Sequence, residues 1–106
     1  MKYIIKVAMG YGDGSMAPLG YIASIKYGFI EKAARGEVGY IDKYGDIAIN
    51  KMFKLEKKSA ARVYNTQDSV EKDITLLKRN FNGLHYFFLP VQVSDNDARL
   101  MRSHRK

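Results

Sequence analysis

The stretch Ala60-Ala61-Arg62-Val63-Tyr64-Asn65-Thr66-Gln67-Asp68-Ser69-Val70-Glu71-Lys72-Asp73-Ile74-Thr75-Leu76-Leu77-Lys78-Arg79-Asn80-Phe81 decides the fold. Arg62 to Tyr64 reads as a short strand-like piece that runs straight into a helix. Thr66 is suited to accept the free backbone N–H groups of the first helical turn, and Asp68 sits where the helix dipole favours negative charge. Val70, Ile74, Leu77 and Phe81 follow at spacings of four, three and four. One stripe of the helix is therefore apolar, while Glu71, Lys72, Lys78 and Arg79 face water.

Downstream, Asn82-Gly83 reads as a left-handed helix stop. Tyr86 to Val93 is the most hydrophobic strand candidate. Pro90 cannot donate to a ladder, which puts this strand on an edge or at a bulge. Ser94 with Asp97 three residues later marks a helix start, so Asp95 to Arg102 reads as a short terminal helix within a basic, flexible end from about residue 95. Upstream, Lys51 to Lys58 is a basic connector anchored by Phe53 and Leu55. Val38 to Asp42 and Asp46 to Ile49 read as a hairpin turning at Gly45. Phe29 to Arg35 reads as one or two helical turns closed by Gly36. Nearer the start, Tyr3, Ile5, Val7 and Met9 alternate with Lys2, Lys6 and Ala8, and Tyr21, Ala23, Ile25 and Tyr27 alternate with Ser24 and Lys26. Gly10 to Gly20, with four glycines and Pro18, reads as the long loop between these two strands. The fold class expected is α+β: one domain over residues 1–106, with a mostly antiparallel sheet of four or five strands and one main helix packed on one face.

The composition narrows the chemistry. A chain of 106 residues with 46% apolar residues, eight Tyr and five Phe can bury a real core. It has no cysteine, which excludes disulfides, thiolate metal sites and cysteine nucleophiles. Lys6 interrupts the first apolar run, and no stretch approaches the roughly 20 apolar residues of a membrane span, so the expected compartment is the cytoplasm, with no membrane partner. The net charge of +7 points to an anionic partner.

No stretch of the chain writes out a reaction. Gly10-Tyr11-Gly12-Asp13-Gly14-Ser15 lacks the Gly-Lys-Ser/Thr and the helix that a phosphate-binding P-loop needs. Its apparent length instead makes it a candidate contact loop. Lys26-Tyr27-Gly28-Phe29-Ile30 shares part of an RNA-binding RNP1 strand, but only 25 residues precede it and the βαββαβ order fails. His85 and His104 have no helix-spaced carboxylate for zinc, Asp95 and Asp97 fit helix capping, and Ser59, Ser69 and Ser94 have no visible base. No catalytic residue and no cofactor is therefore expected.

The alternation of Met1 to Val7, the run Lys57-Lys58-Ser59-Ala60-Ala61-Arg62-Val63-Tyr64 and the helix opening Asn65-Thr66-Gln67-Asp68-Ser69-Val70-Glu71 resemble small accessory proteins of phages and prophages. That resemblance implies a cofactor-free single domain that binds a host machine, in the manner of anti-defence or anti-CRISPR inhibitors. DNA-mimicking inhibitors are acidic. This basic chain would instead occupy an acidic protein face, grip guide RNA or DNA, or trap an anionic nucleotide.

The function expected is thus a non-catalytic protein that modulates or inhibits a host protein or nucleoprotein. The alternatives are sequence-independent nucleic-acid binding through a basic surface, and nucleotide binding or catalysis at the glycine-rich loop. The contact residues expected are Tyr11, Tyr44, Lys54, Lys57, Lys58, Arg99 and Arg102, because arginine and tyrosine dominate interface energetics and the lysines cluster. The strand from Tyr86 to Val93 also leaves a homodimer open.

Overall fold

The computed structural model describes residues 1–11, 13–34, 53–80 and 86–104, with the backbone alone for residues 29, 32–34, 80 and 102–104. Four strands form one antiparallel sheet, in the order β3-β2-β1-β4: β1 Lys2–Gly10, β2 Met16–Ile25, β3 Phe53–Glu56 and β4 Tyr86–Val93. Among the described residues three α-helices accompany them: α1 Tyr27–Ala34, α2 Gln67–Asn80 and α3 Asp95–His104. The expected α+β architecture holds, with α2 the main helix on one face. The expected hairpin at 38–49, Gly36, Phe81 and Asn82-Gly83 lie outside the described residues.

β1 is one of the two inner strands and buries residues on both of its faces. Ile5 and Val7 join Ile22, Ile25, Ile30, Phe53, Tyr64, Val70, Ile74, Leu77 and Phe88 in the larger core, beneath α1 and α2. Ile4 points the other way and packs with Ala61, Val93, Ala98 and Met101 beneath α3. The half-buried pattern expected for β1 therefore gives way to two buried faces, because α3 covers part of the second one. Phe53 and Phe88, from the two outer strands, meet edge to face at 5.8 Å, so the sheet curls around the larger core.

β2 departs most from the sequence reading. It begins at Met16 rather than at Tyr21 and stops at Ile25, and Tyr27 opens α1 instead of extending the strand. The long loop shrinks to a tight connection in which Tyr11 N–H donates to the Ser15 carbonyl at 2.9 Å. Asp13 Oδ1 closes it by accepting Ser15 N–H at 2.9 Å and Ser15 Oγ–H at 2.6 Å, which holds the Asp13 carboxyl below its usual pKa. Pro18 and the glycines hid this strand because a β-bulge accommodates them. Val7 pairs with Gly20 and Ala8 with Pro18, leaving Leu19 as the extra residue. Gly20 sits at φ +144°, where an added Cβ would meet the Glu56 carbonyl oxygen at 3.2 Å. The supposed basic connector is likewise a strand: Phe53 is fully buried and Leu55 half-buried on β3.

Beyond Lys6 and Tyr21, β1 and β2 splay apart, and residues 61–64 fill the fork. Arg62 N–H donates to the Ile22 carbonyl at 2.8 Å, and Tyr64 exchanges two backbone bonds with Tyr3 at 3.0 and 2.8 Å. This wedge follows a 3-10 turn at Lys58–Ala60. Its period of two sends Ala61 and Val63 toward α3 and Tyr64 into the larger core. The strand-like reading of Arg62 to Tyr64 thus appears as an isolated bridge. α2 then starts as expected, with Thr66 Oγ1 accepting Ser69 N–H at 3.1 Å. Val70, Ile74 and Leu77 are buried, each contributing about 1.5–3 kcal/mol. Ser94 Oγ caps α3 in the same way, accepting Asp97 N–H at 3.1 Å. α3 occupies most of the stretch expected to be a loose end, and its Ala98 and Met101 are buried.

Candidate anion-binding groove

Asp73 is the one buried charged residue among the described residues, 8% exposed. Two tyrosines satisfy it. Tyr64 Oη–H donates to Asp73 Oδ2 at 2.5 Å and Tyr27 Oη–H donates to the same oxygen at 2.6 Å. Arg62 completes the cluster: its Nη1 donates to Tyr27 Oη at 2.7 Å and lies 3.9 Å from Asp73 Oδ2. The guanidinium carbon stands 5.0 Å from the Tyr64 ring centroid and 5.7 Å from that of Tyr27, within cation–π range. Each residue is placed by its own piece of the fold. Tyr27 opens α1, Arg62 and Tyr64 share one side of the wedge, and Asp73 lies on α2.

The electrostatics favour holding over reacting. Burial, then the hydrogen bond to Asp73 and its charge, pushes the Tyr64 hydroxyl far above the usual tyrosine pKa, and the same causes raise Tyr27 less. Burial works against the Arg62 charge, but Tyr64, Tyr27 and Asp73 outweigh it and keep this guanidinium above its ordinary pKa. A tyrosine acting as a base or nucleophile needs its pKa lowered toward neutrality. These two are shifted the opposite way, and they tie three elements together.

Beside the cluster, α1 and α2 enclose an open groove of about 770 Å³. Ser69, Lys72, Leu76 and Arg79, spaced by three, four and three, form the α2 wall, while Tyr27 and Glu31, four apart, form the α1 wall. Arg62 lies at the cluster end. Among the described residues neither Lys72 nor Arg79 has an ion-pair partner, and Arg62 engages only Nη1. Asp73 is already held by the tyrosines and Arg62, so among the described residues Glu31 is the remaining carboxylate on this groove. The arrangement suits an anionic group at the mouth, with Leu76 and the half-exposed Tyr27 ring beneath it.

The residues expected from sequence spread elsewhere. Lys54 is exposed but paired with Glu56 at 3.3 Å. Lys57 and Lys58 are exposed at the 3-10 turn that packs on α3, and Arg99 is exposed on α3, donating to Asn96 Oδ1 at 2.7 Å. Lys58 shares a shallow hollow with Asp97, Leu100 and Met101. Tyr11, 53% exposed, lies at the hairpin tip. It is seven residues along β1 from Ile4 under α3, about 24 Å at strand rise. Arg102 lies on α3 with its backbone alone described, and Tyr44 lies outside the described residues.

Sequence reasoning missed Asp73, and a signal for it existed. Asp73 stands three residues after Val70 and four before Leu77, inside the apolar stripe rather than opposite it. A carboxylate there must be buried with partners, and tyrosines and an arginine shortly before the helix were the ones to test. Compared with known proteins, the chain matches no protein family, and no curated relative or solved structure is found to resemble it.

Proposed function

We propose that this protein is a non-catalytic binding module that docks on an anionic surface of a host protein or nucleoprotein and modulates it. The observation that carries this reading is the groove between α1 and α2, where Arg62, Lys72 and Arg79 meet two described carboxylates, Glu31 and Asp73, the second already held by Tyr64, Tyr27 and Arg62. Lys57, Lys58 and Arg99 add a second cationic flank beside α3. The resemblance to phage accessory proteins gives the proposal its setting, a host machine as the target.

The test is co-purification from host cells of the tagged wild-type chain against Lys72→Glu/Arg79→Glu. The double reversal is expected to abolish capture of the partner while the circular dichroism spectrum stays native, because both side chains are exposed. Undiminished capture by a folded double variant overturns the groove as the docking site. Direct nucleic-acid binding is the second reading, favoured by the half-exposed Tyr27 ring within a cationic groove. It requires affinity for a fluorescent oligonucleotide that falls with salt, at a log–log slope near −0.7 per phosphate contacted on a single strand.

A further inference from the structure

We infer that the half of the sheet face left open by α3 is a docking surface for an acidic amphipathic helix of a partner protein. The strand registers define it row by row. On that face Phe87 lies beside Ala8 and Pro18, Leu89 beside Lys6 and Tyr21, and Gly10 beside Met16. α3 covers only the rows around Ile4 and Val93, through Ala98 and Met101. In the open rows Met16 is 48% exposed, Phe87 45% and Leu89 38%. The Phe87 ring lies over Gly10, where an added Cβ would come within 2.5 Å of it. Three strands give a width of about 10 Å, and Lys6 to Gly10 spans about 14 Å along β1. A helix about 10 Å across fits beside α3 on that footprint.

Charge selects among occupants. Lys6 stands on the middle strand in the row nearest α3, half-buried and with no carboxylate partner among the described residues. Glu56, two strands away, is held by Lys54. A helix with an apolar contact face and a carboxylate on its flank toward α3 answers both features. A second copy of this chain brings another +7, and the described part of this face offers it only Glu56, which Lys54 already holds. Pairing through the β4 edge is also obstructed. Tyr3 turns its backbone bonds toward Tyr64, so by alternation Ile5 also points away from β4, and Pro90, opposite Ile5, faces the open edge without a donor.

The experiment uses the whole chain and an 18-residue acidic helical peptide whose Leu face is flanked along one side by Glu, with a Lys-for-Glu peptide as control. Amide shift mapping by NMR is expected to place the Glu peptide over Lys6, Phe87 and Leu89. Lys6→Glu is expected to weaken it at least tenfold and to gain affinity for the Lys peptide. That substitution changes the net charge only from +7 to +5, so attraction to the chain's overall charge would survive it. Leu89→Ser, at an exposed position, is expected to weaken both peptides without altering the fold. No binding below millimolar, shifts centred on Lys72 and Arg79, a dimer lost on Leu89→Ser, or tighter binding to phosphatidylglycerol vesicles than to the peptide would each overturn the inference.

Discussion

Replacing Asp73 by Asn keeps the side-chain shape and removes the charge, which isolates what the carboxylate contributes. Tyr64 and Tyr27 both donate to Asp73 Oδ2, at 2.5 and 2.6 Å. A hydrogen bond to a charged group is worth about 1.5–3 kcal/mol and a neutral one about 1 kcal/mol. If the carbonyl of the substituted amide keeps both bonds, each weakens by roughly 1 kcal/mol, with Tyr27 at the low end because it is half exposed. The expected loss is about 2 kcal/mol. For 106 residues, an unfolding entropy of about 2.1 cal/mol/K per residue converts this to a Tm drop of about 9 °C. Thermal and urea melts followed by circular dichroism measure it. The partner variant Tyr64→Phe then closes a double-mutant cycle. Removing the hydroxyl is expected to cost about 1 kcal/mol less in the Asp73→Asn background than in the wild type. A loss under about 0.5 kcal/mol for Asp73→Asn, or additive effects of the two changes, would refute the claim that this carboxylate locks α2 to the wedge.

Alkali probes the same contact from the other side. Tyr64 keeps its proton when folded, while a tyrosine in the unfolded chain ionises near pH 10. Its contribution is therefore complete below about pH 10 and declines above it. Urea midpoints from pH 9 to 11 are expected to show the advantage of the wild type over Tyr64→Phe shrinking by up to about 1.4 kcal/mol per pH unit; a constant advantage contradicts this. Two glycines should respond unequally to alanine. Gly20→Ala meets both a positive φ and the Glu56 backbone, and should cost about 1–3 kcal/mol. Gly10→Ala meets only the exposed Phe87 ring, which can swing away, and should cost under about 1 kcal/mol. Thermal melts giving the reverse order would sink that distinction.

Helical spacing and a cap at Thr66 made α2 legible, the cap at Ser94 did so for α3, and an apolar run did so for β4. Pro90 announced an edge or a bulge, and β4 is an edge. β2 was only half legible. Met16 to Gly20 carries Pro18 and Gly20, which deny strand by local propensity, and only the bulge opposite Val7 and Ala8 makes them tolerable. A bulge is a property of two paired strands, so a one-dimensional pattern does not encode it. The site was less legible for the same reason. Runs of lysine drew the reading to Lys54, Lys57 and Lys58, but clustering in sequence says nothing about neutralisation by Glu56 or about which cations converge on one groove. Tyr27, Arg62, Tyr64 and Asp73 converge because β1 and β2 splay open and admit the wedge.

That convergence gives the buried carboxylate a consequence for binding. A network of this kind is weak evidence for stability, since an apolar cluster of equal volume would serve the core as well or better. It does fix an arginine. Arg62 stacks against two rings and spends one nitrogen on Tyr27, so its side chain is already ordered where it meets the groove. Ordering a long side chain on association costs about 0.5–1.5 kcal/mol, and most of that cost has been met during folding. Lys72 and Arg79, exposed on one helix wall, have no such support. The three cations therefore differ in kind: Arg62 sets geometry, and the other two supply attraction. Removing the Asp73 charge should accordingly loosen the grip on an anionic partner through faster dissociation, whereas reversing Lys72 or Arg79 should slow the encounter.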